Sequence, residues 1–312
     1  MKTVVTTSPI EAAEFIKRGG IVAFPTETVY GLGANVFDPS AIAKIFEAKQ
    51  RPGDNPLIAH VADIKQINLL AAEVTEHAAR FFKVFFPGPL TIVLRKLPNV
   101  PNIATAGLDT IGFRMPRYEP AHQFLSACET PIVAPSANLS GRPSPTTWQA
   151  VAEDLDGRID CILQGDATEI GLESTVVDCT RDAPLILRSG SVSIEQLRSV
   201  VPTTMIYETL EAEVPRSPGL RHKHYSPTAK IIIVERAAEI GDTESAAYIG
   251  LDRLNVTFVR EHICSTVGDY AHSLFEFFRE CDREGVQKIY CERVEEKGIG
   301  VALMDRIRRA AE

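Results

Sequence analysis

With 312 residues, 45% of them hydrophobic, the chain is long enough to bury a substantial core and, by length, more than one. Its 33 Lys and Arg against 41 Asp and Glu leave a formal charge of −8, which argues against a broad basic footprint for nucleic acid and leaves room for a local basic patch. No apolar run approaches the ~18 residues of a membrane span, and MKTVVTTSPIEAAEF lacks the charged-then-apolar layout of a leader, so a cytoplasmic location is expected.

The first expected element is a helix. SPIEAAEFIKRGG offers Ser8 as N-cap, Pro9 at the first helical position, Glu11 to complete a capping box and Gly19 as a stop. IVAFP (21–25) follows as a short buried strand. AIAKIFEAK, LIAHVA, TEHAARFFKVFF, LTIVLRK, AHQFLSAC and PIVAPSA continue the alternation, and CILQG, STVVDCT and LILRSG then crowd together across short polar turns. This is an α/β pattern, with a mixed sheet that includes antiparallel members.

Between 206 and 229 the pattern breaks. PRSPGLRHKHYSPTAK carries Pro215, Pro218 and Pro227, a basic local charge and no apolar period, which reads as an extended connection between domains. Alternation then resumes, with strands expected over KIIIVE, SAAYIGL, NVTFV and KIYCERV and helices over YAHSLFEFFRECDREG and GVALMDRIRRAAE. The expected division is 1–208 for a first domain, 209–229 for the linker and 230–312 for a small second α/β domain.

Several chemistries have no motif here. GxxxxGK[ST], HExxH and GxSxG are missing, and GLGANV has Val36 where a dinucleotide fingerprint needs its third glycine. Cys128, Cys161, Cys179, Cys264, Cys281 and Cys291 form no CxxC, so they are expected to be reduced, buried thiols and not a metal or redox site. His222 and His224 in RHKHY read as solvent-facing, and no protein metal site is assigned.

Lys49 and Arg51, in EAKQRPGDNPLIAH, taken alone are ordinary helix-end charges. Other strands, however, also run into polar, small-residue segments: PTETVYGLG after IVAF, MPR after TIGFR, PSANLSGRPSPT after PIVA and SGS after LILR. Lys49, Arg51, Arg114, Arg142 and Arg188 lie at such ends or loops, with Ser136, Asn138, Ser144 and Ser174 as expected neutral donors. The set suits a polyanion held by side chains. His60, on an apolar strand, reads by itself as a hydrogen-bonded core histidine.

PTETVYGLG, KQRPGDNPL, FPGPLT, GFRMP, APSANLSG, LESTVVD and LRSG follow one another in the order seen in the YrdC-like family, and the resemblance continues through SPGLRHKHYSP and GIGVALMDRIRRAA. The chain resembles the long, two-domain members of that family. The resemblance implies a YrdC-like twisted mixed sheet with flanking helices, followed by a small Rossmann-like α/β domain. It implies synthesis of L-threonylcarbamoyl-AMP from L-threonine, bicarbonate or carbon dioxide and ATP with Mg²⁺, releasing pyrophosphate. Partner proteins then carry the group to adenosine 37 of tRNA.

On matching positions, Arg51, Asn55, Thr110, Ser136, Asn138, Ser144, Arg188 and Tyr225 are implied ATP contacts, with Lys49 and Arg51 catalytic. Thr28, His60, Arg114, Ala134 and Ser174 are the implied threonine contacts. Two other readings compete: a carbamoyl-transfer enzyme of the hydrogenase-maturation type, and an RNA-binding module with weak affinity for RNA. The linker, with Arg221, His222, Lys223, His224 and Tyr225 among its prolines, is expected to act as a lid, and a chain ending at 208 is expected to keep a self-contained core.

Overall fold

A computed structural model describes residues 2–53, 55–206, 225–235, 239–241 and 243–312. In chain order the first part contains β1 (Val4–Thr6), β2 (Val22–Phe24), β3 (Gly31–Asn35), β4 (Ile58–His60), β5 (Leu90–Arg95), β6 (Thr110–Arg114), β7 (Ile132–Ala134), β8 (Cys161–Leu163), β9 (Thr175–Asp178), β10 (Leu185–Arg188) and β11 (Met205–Ile206). Its helices are α1 (Pro9–Lys17), α2 (Pro39–Lys49), α3 (Glu76–Phe85), α4 (Asn102–Thr105), α5 (Glu119–Cys128), α6 (Trp148–Leu155) and α7 (Ile194–Val200). The second part contains β12 (Lys230–Val234), β13 (Ala246–Gly250), β14 (Arg260–Ile263), α8 (Val267–Arg283), β15 (Lys288–Glu292) and α9 (Ile299–Ala311).

The first sheet runs β1-β8-β2-β3-β7-β4-β6-β5-β9-β10-β11 and is mixed: β4 pairs parallel with β6 and antiparallel with β7. Side-chain alternation along its strands feeds two apolar layers. In β2, Val22 and Phe24 pack with Ile16 of α1 and Phe124 of α5, while Ala23 faces a larger cluster containing Ile45, Phe81 and Phe113. The second sheet, β12-β15-β13-β14, is parallel throughout, as a Rossmann-like domain requires. All six cysteines are buried and free, and no helix among the described residues is long and apolar enough to cross a membrane.

Two local expectations change, and the rejection of GLGANV as a dinucleotide fingerprint holds. Ser8 caps α1 through the Glu11 amide, but the Glu11 carboxylate turns to Thr6 Oγ1 at 2.5 Å, so the reciprocal half of the capping box is not made there. GLGAN forms β3, not a phosphate-binding turn: a Cβ on Gly33 would lie 2.6 Å from Ile132 Cγ2, so the glycine serves close sheet packing. NVTFV is irregular, and the strand begins just after it at Arg260.

Most of the expected linker, 209–224, lies outside the described residues, and with it most of the expected lid. Tyr225 is described, and it packs with the second domain's core beside Phe275, as do Val29 and Leu172 of the first domain. The interface also carries buried charge. Arg279 of α8 donates to both carboxylate oxygens of Asp154 and to Pro143 O, and Arg306 of α9 pairs with Glu173 at 2.9 Å. The apolar clusters of the first domain are built from its own residues, as expected of a self-contained core, but two of its buried carboxylates, Asp154 and Glu173, also take partners from the second.

Candidate active site

One end of the site grows out of three neighbouring strands. β4 and β6 pair in register His60↔Arg114, which sets an imidazole and a guanidinium side by side. β7 runs antiparallel to β4 with Ala134 opposite Ile58. After β2 the chain folds on itself: Thr26 Oγ1 donates to Val29 O at 2.7 Å, bonds Thr28 Oγ1 at 2.9 Å, and accepts from Arg114 at 3.3 Å. Glu27 reaches Arg114 at 3.0 Å, both side chains being buried.

Arg114 is 4% exposed, and its Nε has no hydrogen-bond partner among the described residues. A buried guanidinium edge left open beside a cavity is suited to a ligand carboxylate. Burial, reinforced by Arg114, pushes the His60 pKa down to about 3, so the ring is neutral at physiological pH. His60 Nδ1 lies 3.1 Å from Ile58 O, and the ring meets Phe24 edge to face.

The other end is built by the 136–144 loop, β10 and Tyr225. Arg188 donates from Nε to Ser174 O and from a terminal nitrogen to Ser174 Oγ, while Ser174 Oγ also bonds Thr91. Arg51 donates to Asn55 O at 2.9 Å. Together the two ends contribute to the lining of a cavity with ≈ 680 Å³ of atom-free space, its open mouth included. Among its described lining residues, Arg51, Arg114, Arg142 and Arg188 face one carboxylate, Glu173. A chain of net charge −8 thus concentrates positive potential in one place.

Of the implied site residues, Thr28, Arg51, Asn55, His60, Arg114, Ala134, Ser136, Asn138, Ser144, Ser174, Arg188 and Tyr225 all line this cavity. Thr110 does not; it lines a smaller neighbouring pocket with Pro56, Leu57 and Gly112. Lys49 does not either. Its ammonium is 2.6 Å from Ser136 O and also donates to Asn138 O, beneath the loop that carries both cavity residues. Burial, with Arg51 close by, lowers its pKa well below that of an ordinary amine. Lys49 therefore braces the 136–138 backbone, and the geometry does not support its direct contact with phosphate.

The serines also differ from expectation. Asn138 Nδ2 donates to Leu139 O and Arg142 O, which leaves Oδ1 as the acceptor for Ser136 Oγ at 2.6 Å. Burial alone would raise the Glu173 pKa, but Arg306, Arg188 and Ser144 outweigh it and hold the carboxyl below its usual value. Ionised Glu173 can only accept, so Ser144 donates to it at 2.5 Å. With their protons committed, Ser136 and Ser144 present lone pairs to the cavity. They suit ligand donors such as hydroxyls or an amino group, while the arginines suit anionic groups.

Glu27, Asp154, Glu173, Arg279 and Arg306 were not singled out as sequence candidates. Glu27 and Glu173 sit inside the motifs PTETVYGLG and LESTVVD. Arg306 sits on the buried stripe Ala302, Leu303, Ile307 and Ala310, and a cation within an apolar stripe is the signal that would have found it.

This twisted mixed sheet, opening on a cavity lined by four arginines and docked to a parallel four-stranded domain, defines a two-domain α/β protein. Residues 14–190 match the Sua5/YciO/YrdC family model, described as telomere recombination, and residues 192–312 match the Sua5 C-terminal model, described as threonylcarbamoyl-AMP synthase, C-terminal domain. The chain belongs to the Sua5/YrdC family in its two-domain form. It is 43% identical to the threonylcarbamoyl-AMP synthase of Pyrococcus abyssi, over 96% of this chain and 93% of that one. It is 41% identical to that of Bacillus subtilis, over 96% and 92%. The crystal structure of P. abyssi Sua5 complexed with L-threonine superposes with a TM-score of 0.91 at 41% identity, covering 99% of this chain and 97% of that one.

Proposed function

We propose that the chain condenses L-threonine, bicarbonate or carbon dioxide, and ATP into L-threonylcarbamoyl-AMP and pyrophosphate, for transfer by partner proteins to adenosine 37 of tRNA. The observation that carries this reading is the buried Arg114, its Nε open, in one cavity with the cations and hydroxyls suited to a nucleotide.

Arg114 takes the threonine carboxylate, held in line by Glu27 and Thr26, while His60, Thr28 and Ser174 surround the rest of the amino acid. The free amine attacks carbon dioxide and loses a proton, giving a carbamate. A carbamate oxygen then attacks the α-phosphorus in line, the bond to the bridging oxygen breaks, and pyrophosphate leaves with the electron pair. Such a step needs alignment and charge neutralisation more than a protein nucleophile. Arg51 and Arg188 supply the charge, and Ser136, Ser144 and Tyr225 fix the nucleoside. Glu173 is already engaged by Arg306 and Ser144, and no cluster of three or more His, Cys, Asp or Glu among the described residues is placed for a metal. Mg²⁺ brought in with ATP would supply further charge neutralisation beside Arg51 and Arg188.

The test incubates the purified chain with MgATP, bicarbonate and, in turn, threonine, serine and valine, and identifies nucleotide products by mass spectrometry. An adduct of threonylcarbamate with AMP is expected. AMP or ADP without any amino-acid adduct would refute the reading.

A further inference from the structure

The nucleotide end of the cavity is held in place from the second domain. Arg306 is 0% exposed, donates to Glu173 Oε2 at 2.9 Å and Ser189 O at 3.0 Å, and places its guanidinium carbon 5.4 Å from the Tyr225 ring centroid. On its other oxygen, Oε1, Glu173 accepts a hydrogen bond from Ser144 Oγ. Tyr225 stacks on Phe275 of α8, with centroids 5.3 Å apart, and its backbone sits at φ +66, a left-handed conformation that a non-glycine residue keeps only when its surroundings impose it. Ser226 N donates to Gly141 O, so the same segment is tied to the loop bearing Ser144.

We infer that Arg306, contributed by the last helix of the second domain, is a positioning residue for the nucleotide half of the reaction, acting through Glu173 on Ser144 and directly on the Tyr225 ring. Arg306 does not line the cavity itself, so it acts only through these neighbours. It keeps the carboxylate charged and aligned. Ser144 then presents a fixed lone pair, and Tyr225 presents a fixed ring. Without the guanidinium, Glu173 would keep only the Ser144 hydrogen bond and the charge of Arg188, with nothing to fix Oε2, and the alignment of the Ser144 acceptor would be lost. The inference rests on the functional reading above and gives the second domain a role in it: that domain completes the adenylate site without touching the reacting atoms.

The test measures adduct formation by the full chain and by Arg306→Met, Arg306→Lys and Glu173→Gln, with KM determined separately for ATP and threonine. Arg306→Met should raise KM for ATP about tenfold or more while KM for threonine stays within roughly twofold. Arg306→Lys should recover part of the loss, since it restores the charge but not the planar fork. Adding Glu173→Gln to Arg306→Met should cost less than the sum of the two, because both act on one network. Should Arg306→Met fail to fold, Arg306→Lys and Glu173→Gln carry the same comparison. Parental KM for ATP in the folded variants, or equal rises for both substrates, would overturn the inference while leaving the function intact. A parent chain that forms no adduct would overturn the functional reading and this inference with it.

Discussion

Arg114 and His60 show how a sheet sets site chemistry one residue at a time. Arg114 presents a fork that an ammonium cannot copy, so Arg114→Lys should weaken threonine binding about tenfold or more and leave ATP affinity nearly unchanged; calorimetry that finds parental threonine affinity would reject the assignment. His60 makes a pH prediction. Its folded pKa, about 3, lies below the 6.5 of a free imidazole, so its contribution to stability is complete above about pH 6.5 and is lost as pH falls towards 3. Between about pH 7.5 and pH 4.5 the parent should lose more unfolding free energy than His60→Asn, by an amount on the order of a few kcal/mol. Equal losses in urea titrations would show that His60 does not titrate this way. Arg114 is legible at the end of the strand pattern TIGFR, whereas His60 by itself reads as a core histidine and enters the site only through the family resemblance. The role of Lys49 is not legible: helix-end spacing says where its backbone lies, whereas the direction of a four-carbon side chain depends on carbonyls contributed 87 residues further along the chain.

Helices and strands with a strong period were readable, and those defined by their partners were not. Ser8, Pro9 and Gly19 place α1 from local chemistry alone. NVTFV has strand composition yet stays irregular, because a strand exists only where a neighbour offers a ladder, and β13 offers it to 260–263. Arg279 and Arg306 break the apolar faces of α8 and α9 for a reason supplied by the other domain. Arg279→Met removes the more buried of the two cations on Asp154, the other being Arg142, and should destabilise the full chain by about 3 kcal/mol, the low end for breaking a buried pair. Urea unfolding within about 1 kcal/mol of the parent would place Asp154 under the care of Arg142 alone.

At the scale of the molecule, the two family regions meet through charge as well as apolar packing. Gly171 lies at that seam, where a Cβ would come within 2.4 Å of His272 O, so the two parts are fitted closely and not merely tethered. A chain ending at Ile206 would leave Glu173 without Arg306 and Asp154 without Arg279, and it should unfold at lower urea than the same region in the full chain. A parental midpoint would restore the picture of an autonomous first domain. Two domains and their order are legible in the sequence, but this dependence is not, since no local pattern reports which surface a buried arginine will reach. The central claim is that one cavity, closed by both domains, holds threonine and nucleotide end to end. The most direct measurement is a crystal structure of the full chain with L-threonylcarbamoyl-AMP bound. The account predicts the threonyl carboxylate on Arg114, the phosphate near Arg51 and Arg188, and the nucleoside against Ser136, Ser144 and Tyr225. A product lying elsewhere, or bound in the reverse sense with its carboxylate away from Arg114, would contradict it.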